Sequence, residues 1–143
     1  MKTRMTIGEI EELMDRHFPD WRNFSRIEAL SDEALSLRMP FKSQLLRTGG
    51  TISGPAMMAL ADTAAYFMTL ALAGPVMGAA TANLDIHFLA RPKPADVIAT
   101  ARMLRLGRRL AVSTVELRSE GRDDLVAHAT VTYALPAQRE PSH

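Results

Sequence analysis

The sequence predicts an α+β domain in which an antiparallel sheet wraps around one long central helix. Three observations carry this. Residues 54–73 (GPAMMALADTAAYFMTLALA) are an apolar run of helical length, bounded by Ser53 and a Gly74-Pro75 stop. After it the period changes, and residues 79–90, 96–106, 110–120 and 124–135 read as strands. Short turns separate these strands, and short turns make antiparallel neighbours. The helix is apolar nearly all round, so it has to be covered on more than one side. A single curved sheet wrapping it is the simplest cover, and a partner subunit can complete the rest. At 143 residues the chain has the size of one domain, 1–143.

The elements follow in order. Ile7, Ile10, Leu13 and Met14 recur at helical spacing within residues 6–17, with Thr6 and Glu9 placed for a capping box. Pro19 ends this helix, and residues 1–24 form an N-terminal helical segment. Residues 25–40 are a strand region with a turn at Asp32-Glu33. Residues 41–53 are a loop punctuated by Gly49-Gly50. Ser53 or Gly54 opens the long helix, and Pro55 suits its first turn, where a missing N–H costs nothing. In the strand of residues 79–90, Ala80, Ala82, Leu84, Ile86 and Phe88 fall on one face and Thr81, Asn83, Asp85 and His87 on the other. Gly107-Arg108-Arg109 and Gly121-Arg122-Asp123 are turns, and residues 136–143 are a polar tail.

Composition excludes several functions. Seventeen basic and sixteen acidic residues leave a net charge of +1, so no global field attracts nucleic acid or an anionic membrane. There is no cysteine, hence no disulfide, thiolate metal site or cysteine nucleophile. That composition is compatible with a reducing cytosol, and a cytoplasmic location is expected. The opening residues MKTRMTIGEIEELMDR carry charges where a signal peptide needs an apolar block. Residues 54–73 have the length of a membrane span. However, Asp62 sits in the middle, small alanines dominate and no basic flank follows, so a buried helix is expected. The four histidines lack metal-site spacing, and no G-x-S-x-G elbow occurs. No metal and no cofactor are expected.

Three features bear on chemistry. Asp62 lies eight residues into the apolar helix, roughly 12 Å from its start and beyond useful reach of the helix dipole. A carboxylate there marks a hydrogen-bonded network, a site, or a hydrated stripe that Tyr66 and Thr69 continue. The approach GGTISGP places free N–H groups at a helix start, where they can hold a phosphate or polarise a carbonyl oxygen. It is not a P-loop, and Gly-Gly is also an ordinary turn. Arg102, Arg105, Arg108 and Arg109 make either a solvated hairpin or a clamp for a phosphorylated ligand. Met57, Met58, Phe67 and Met68 line a pocket or fill the core.

The order of GGTISGPAMMALAD (49–62), ATANLDIHFLARP (80–92) and RLGRRLAV (105–112) resembles the hotdog-fold acyl-CoA thioesterases, in particular the phenylacetate-degradation type. The resemblance covers about residues 30–135 and implies the hotdog fold with hydrolysis of an acyl-CoA to a carboxylate and free coenzyme A. It implies that Asp62 is general base or nucleophile, that the Gly54 N–H polarises the thioester carbonyl, and that Thr81 is a polar group on the partner's strand. It further implies that Arg108 and Arg109 face the coenzyme A phosphates, with Arg47 and Asn83 also at the substrate. The site lies at the interface of a homodimer or homotetramer, with no nucleic acid or membrane as partner. Two positions depart from the family pattern. Ser53-Gly54-Pro55 replaces His-Gly-Gly, and Arg47 stands where relatives carry Asn, Gln or His and can pair with Asp62. A non-catalytic acyl-CoA-binding or regulatory protein on the same fold is the main rival. A hotdog dehydratase ranks lower, because this helix holds no histidine. A protein with interactions alone is the remaining alternative.

Overall fold

The computed structural model describes residues 1–137, so residues 138–143 of the polar tail lie outside the described part. Two helices, α1 (Ile7–His17) and α2 (Trp21–Phe24), precede strands β1 (Arg26–Leu30) and β2 (Leu35–Met39). After a 3-10 turn at Ser43–Leu45 comes the long helix α3 (Gly54–Ala73). Four strands follow: β3 (Ala80–Phe88), β4 (Val97–Leu106), β5 (Leu110–Ser119) and β6 (Leu125–Ala134). The capping box at Thr6 and Glu9 is formed in both directions. Ser53 is the N-cap of α3, its hydroxyl accepting from the Ala56 N–H.

All six strands join one antiparallel sheet in the order β1-β2-β4-β5-β6-β3. This corrects one expectation. Strands β3 and β4 are sequential but not neighbours. Residues 89–96, which join them, contain Pro92 and Pro94, and prolines cannot donate to a ladder. This connection crosses from one edge of the sheet to its interior, and β3 pairs with β6 as an edge strand.

Helix α3 lies in the concave face, mostly against β4 and β5, with β2 and β6 at its flanks. Its alanines 61, 64, 65 and 71 are buried in the same core as Ala99, Ala101, Ala127 and Ala129 of the sheet. Small residues on both sides let the helix axis approach the sheet closely. Phe67 fills the end, edge-to-face with Trp21 at 5.5 Å. Met57, Phe67 and Met68 are core residues, whereas Met58 is 40% exposed. The helix has the hydropathy of a membrane span but is mostly buried inside the fold.

The sheet leaves one stripe of α3 uncovered. Met58 and Ala59 are exposed, and Asp62, Thr63 and Tyr66 are half-buried. Thr69, expected on the same stripe, is fully buried, with its hydroxyl donating to the Ala65 carbonyl one turn back. It belongs to the helix and not to a site.

Candidate active site

Asp62 is held from the strand side. The Thr81 hydroxyl donates to Asp62 Oδ1 at 2.8 Å, and the Tyr133 hydroxyl reaches the same oxygen at 2.7 Å. Thr81 on β3 and Tyr133 on β6 are direct cross-strand partners, so their side chains share a face. That face is the helix face because β3 carries a bulge. The register shifts between Thr81 and Asn83, leaving Ala82 as the extra residue. Strict alternation puts Thr81 with Asn83, away from the helix. The bulge instead aligns Thr81 with Leu84 and Ile86, opposite the inward Val131 and Ala129. The resemblance assigned this hydroxyl to a partner's strand, and here it reaches Asp62 of its own chain.

Tyr133 is 5% exposed and its ring stacks on Tyr66 at 5.5 Å. Burial pushes the Tyr133 phenol far above its ordinary range, Thr81 works against that rise, and the Asp62 carboxylate adds to it. The hydroxyl therefore stays protonated and acts as a donor. Tyr133 was not among the residues singled out from sequence. The alternation Ala127, Ala129, Val131, Tyr133 marks it as inward-facing, but nothing local indicates which helix residue it meets.

A second centre lies at the start of α3, two turns before Asp62. The loop before it folds back through a Leu46–Ile52 bridge, and Gly49 and Gly50 take positive φ values of 105° and 78° in its turn. Ile52 donates to the Pro92 carbonyl, which ties the loop to the segment after β3. In the first turn of α3, Ala56 N–H goes to Ser53 Oγ, Met57 N–H goes to the Ser53 carbonyl and Pro55 has no N–H. Among the described residues, the Gly54 N–H is thus the one first-turn amide without a partner. Gly54 lines a cavity of about 430 Å³ together with Arg47, Ile52, Met57, Phe88 and Arg91, among others. The Phe88 ring lies over Gly54, 3.4 Å from where a Cβ would stand. Neither Phe88 nor Arg91 was singled out from sequence as a site residue.

The remaining candidates divide between the two ends. Arg47 lines the cavity, while the carboxylate of Asp62 is held by Thr81 and Tyr133, so the pairing of Arg47 with Asp62 is not formed among the described residues. Arg108 and Arg109 are exposed in the β4–β5 turn. The Leu135 N–H donates to the Arg109 carbonyl, which puts this turn at the Tyr133 end of the sheet. Asn83 is exposed on β3, paired with Thr132, and faces away from Asp62.

An edge strand beside a long helix, an acid on that helix and a free amide at its start are the parts of a known architecture. Residues 49–126, more than half of the chain, match the thioesterase superfamily. The chain belongs to the thioesterase superfamily. This thioesterase-superfamily protein has the hotdog fold, and its membership makes it a thioester hydrolase. It is similar to a candidate thioesterase from Silicibacter sp. TM1040, at 35% identity over 95% of each chain and a TM-score of 0.86. It is also similar to the phenylacetic acid degradation protein PaaI of Thermus thermophilus, in a structure carrying one substitution. There the identity is 26% and the TM-score 0.70, covering 82% of this chain and 97% of that one. A candidate esterase of Thermoplasma acidophilum is 27% identical over 109 residues, 76% of this chain and 81% of the relative.

Proposed function

We propose that this thioesterase-superfamily protein hydrolyses acyl-CoA thioesters to a carboxylate and free coenzyme A, at a site shared between two copies of the chain. The observation that carries this is the separation of the two centres. Asp62 and Gly54 are eight residues apart on one straight helix, about 12 Å by the rise of an α-helix. An amide and a carboxylate that act on one carbonyl must each come within about 3 Å of the reacting atoms. One helix cannot do both, so Gly54 of one copy works with Asp62 of another. The free edge of β3 and the uncovered stripe at Met58, Asp62 and Tyr66 are the surfaces that a second copy would cover. A dimer supplies two such sites, and a tetramer repeats them.

The chemistry follows from the free atoms. The Gly54 N–H donates to the thioester oxygen as it becomes an oxyanion, a contribution of about 3–4 kcal/mol for one such donor. Asp62 acts through Oδ2, since Oδ1 is occupied. As a base it takes a proton from water while the hydroxide oxygen bonds to the carbonyl carbon. As a nucleophile it bonds to that carbon itself, and water then opens the anhydride. In either case the C–S bond breaks, and the thiolate leaves and takes up a proton. Arg108 and Arg109, at the Asp62 end, are suited to coenzyme A phosphates, and Arg47 lies at the amide end. A cytosolic place of work belongs to this reading, and a chain without cysteine is compatible with it.

The test is an acyl-CoA panel assayed by trapping the released thiol, with Asp62→Ala as the control. Release by the wild type that the variant loses supports the reading. Activity that survives Asp62→Ala removes Asp62 from its role. Tight acyl-CoA binding with no thiol release selects the non-catalytic alternative. Label found in Asp62 after single turnover in ¹⁸O-water identifies the nucleophile route, because the base route puts the label in the product carboxylate alone.

A further inference from the structure

Asp62 Oδ1 is the acceptor for two hydroxyls, Thr81 at 2.8 Å and Tyr133 at 2.7 Å. From this geometry we infer that Tyr133 is a positioning residue, which fixes the Asp62 carboxylate so that Oδ2 alone is presented to water or thioester. This rests on the reading of Asp62 as base or nucleophile.

The argument begins with freedom of rotation. An aspartate on a half-covered helix face can turn its carboxylate about a broad, two-fold torsion. A single hydrogen bond leaves that torsion soft. Two donors from neighbouring strands that converge on one oxygen hold it. Tyr133 is the stiffer of the two. Its ring is buried, stacked on Tyr66, and rooted in β6, which is paired on both sides by β3 and β5. Thr81 sits on the edge strand next to a bulge and is exposed. Tyr66 is one turn from Asp62 on the same helix, so the helix that carries the carboxylate also braces the ring that holds it. The Tyr133 hydroxyl lies 3.2 Å from the Asp62 carbonyl as well, so it registers the residue's backbone and side chain together. A buried hydroxyl without such acceptors would carry a desolvation penalty, and both of its acceptors belong to Asp62.

The experiment is a double-mutant cycle of Tyr133→Phe and Asp62→Asn in the full chain, read as kcat and KM separately, with Asp62→Ala as the reference for Asp62's own role. Phenylalanine keeps the ring and its stacking. Expected is a fall in kcat of about 10–100-fold for Tyr133→Phe, the worth of a hydrogen bond to a charged group, with KM within about twofold. In the Asp62→Asn background the same substitution should cost nothing further, because a positioning residue acts only through its partner. An unchanged kcat in folded Tyr133→Phe, even with a lowered Tm, overturns the inference and leaves the role of Asp62 standing. A full additional loss in the Asp62→Asn background overturns it too. If Tyr133→Phe does not fold, 3-fluorotyrosine at 133 keeps volume and hydroxyl while altering donor strength. It should change kcat at least about twofold, by the dependence of such bonds on donor charge; an unchanged kcat overturns the inference. A wild type without thioesterase activity, or an active Asp62→Ala, overturns the parent reading and this one together.

Discussion

Thr81 and Tyr133 stand directly opposite each other on β3 and β6, and their hydroxyls meet at one carboxylate oxygen of Asp62. Two strands far apart in sequence thus hold one helix residue from the same side. The arrangement makes the carboxylate asymmetric, with one oxygen anchored and one free.

The first prediction concerns that free oxygen. Asp62→Asn keeps the shape and an oxygen that can accept from both hydroxyls, so the fold should survive. Thioester hydrolysis should fall by about 10²–10⁴-fold, the usual worth of a general base. Thr81→Val, which removes one of the two donors, should cost roughly tenfold in kcat. Circular dichroism and steady-state kinetics on purified variants check both.

Gly54 and Phe88 are the second pair. A methyl at residue 54 would meet the tip of an exposed ring at 3.4 Å, a contact that the ring can relax. Gly54→Ala should therefore fold normally, yet narrow the way to the free first-turn amide, lowering kcat/KM. Phe88→Ala should relieve most of that loss in the double variant. A loss that persists unchanged in the double variant would show that Phe88 does not crowd the amide.

The basic turn offers a third. Arg108→Gln with Arg109→Gln should raise KM for acyl-CoA roughly tenfold or more, since both guanidiniums are exposed and, on the proposed reading, form charge-assisted bonds to phosphate. A truncated thioester of N-acetylcysteamine, which has no phosphates, should show no such change. Added salt should weaken binding of the CoA substrate in the wild type and do so less in the variant.

The fourth is a pH effect on stability. Arg38 on β2 is 13% exposed and ion-paired to Glu28, Asp96 and Glu120 at 2.8–2.9 Å. Its guanidinium is held above its usual range, chiefly by Asp96. Asp96 also accepts the Phe41 N–H at 2.7 Å. That amide first, and then Arg38, hold the Asp96 carboxyl below its ordinary value against the effect of burial. A carboxyl with a lowered folded pKa binds fewer protons in the folded chain than in the unfolded one. Its stabilisation is complete above about pH 4, the unfolded value, and is lost as the pH falls through the lower folded value. Asp96→Asn should cost about 1–3 kcal/mol at neutral pH, and the gap to wild type should close under acid. Thermal melts from pH 7 to pH 2 follow it. A gap that stays constant across that range would assign the loss to packing instead.

Much of the fold was readable in advance because its signals are local. A capped amphipathic start at Thr6, a Ser53-Gly54-Pro55 opening, an apolar run ended by Gly74, and four period-two segments each depend on residues within one turn or one strand. Strand order was not local. The expected meander failed at β3 and β4 because residues 89–96 carry the chain across the sheet, and β3 finds its partner in β6.

By itself the sequence determined that one apolar helix with a carboxylate in its middle must be wrapped by an antiparallel sheet, since burying that helix is the dominant free-energy term available to the chain. The tertiary structure alone decided what the carboxylate touches. A one-residue bulge at Ala82 turns Thr81 inward, and the pairing of β3 with β6 brings Tyr133 beside it. Neither is written in any local pattern, because a bulge reverses the side-chain alternation and the Tyr133–Asp62 contact joins residues separated by half the chain.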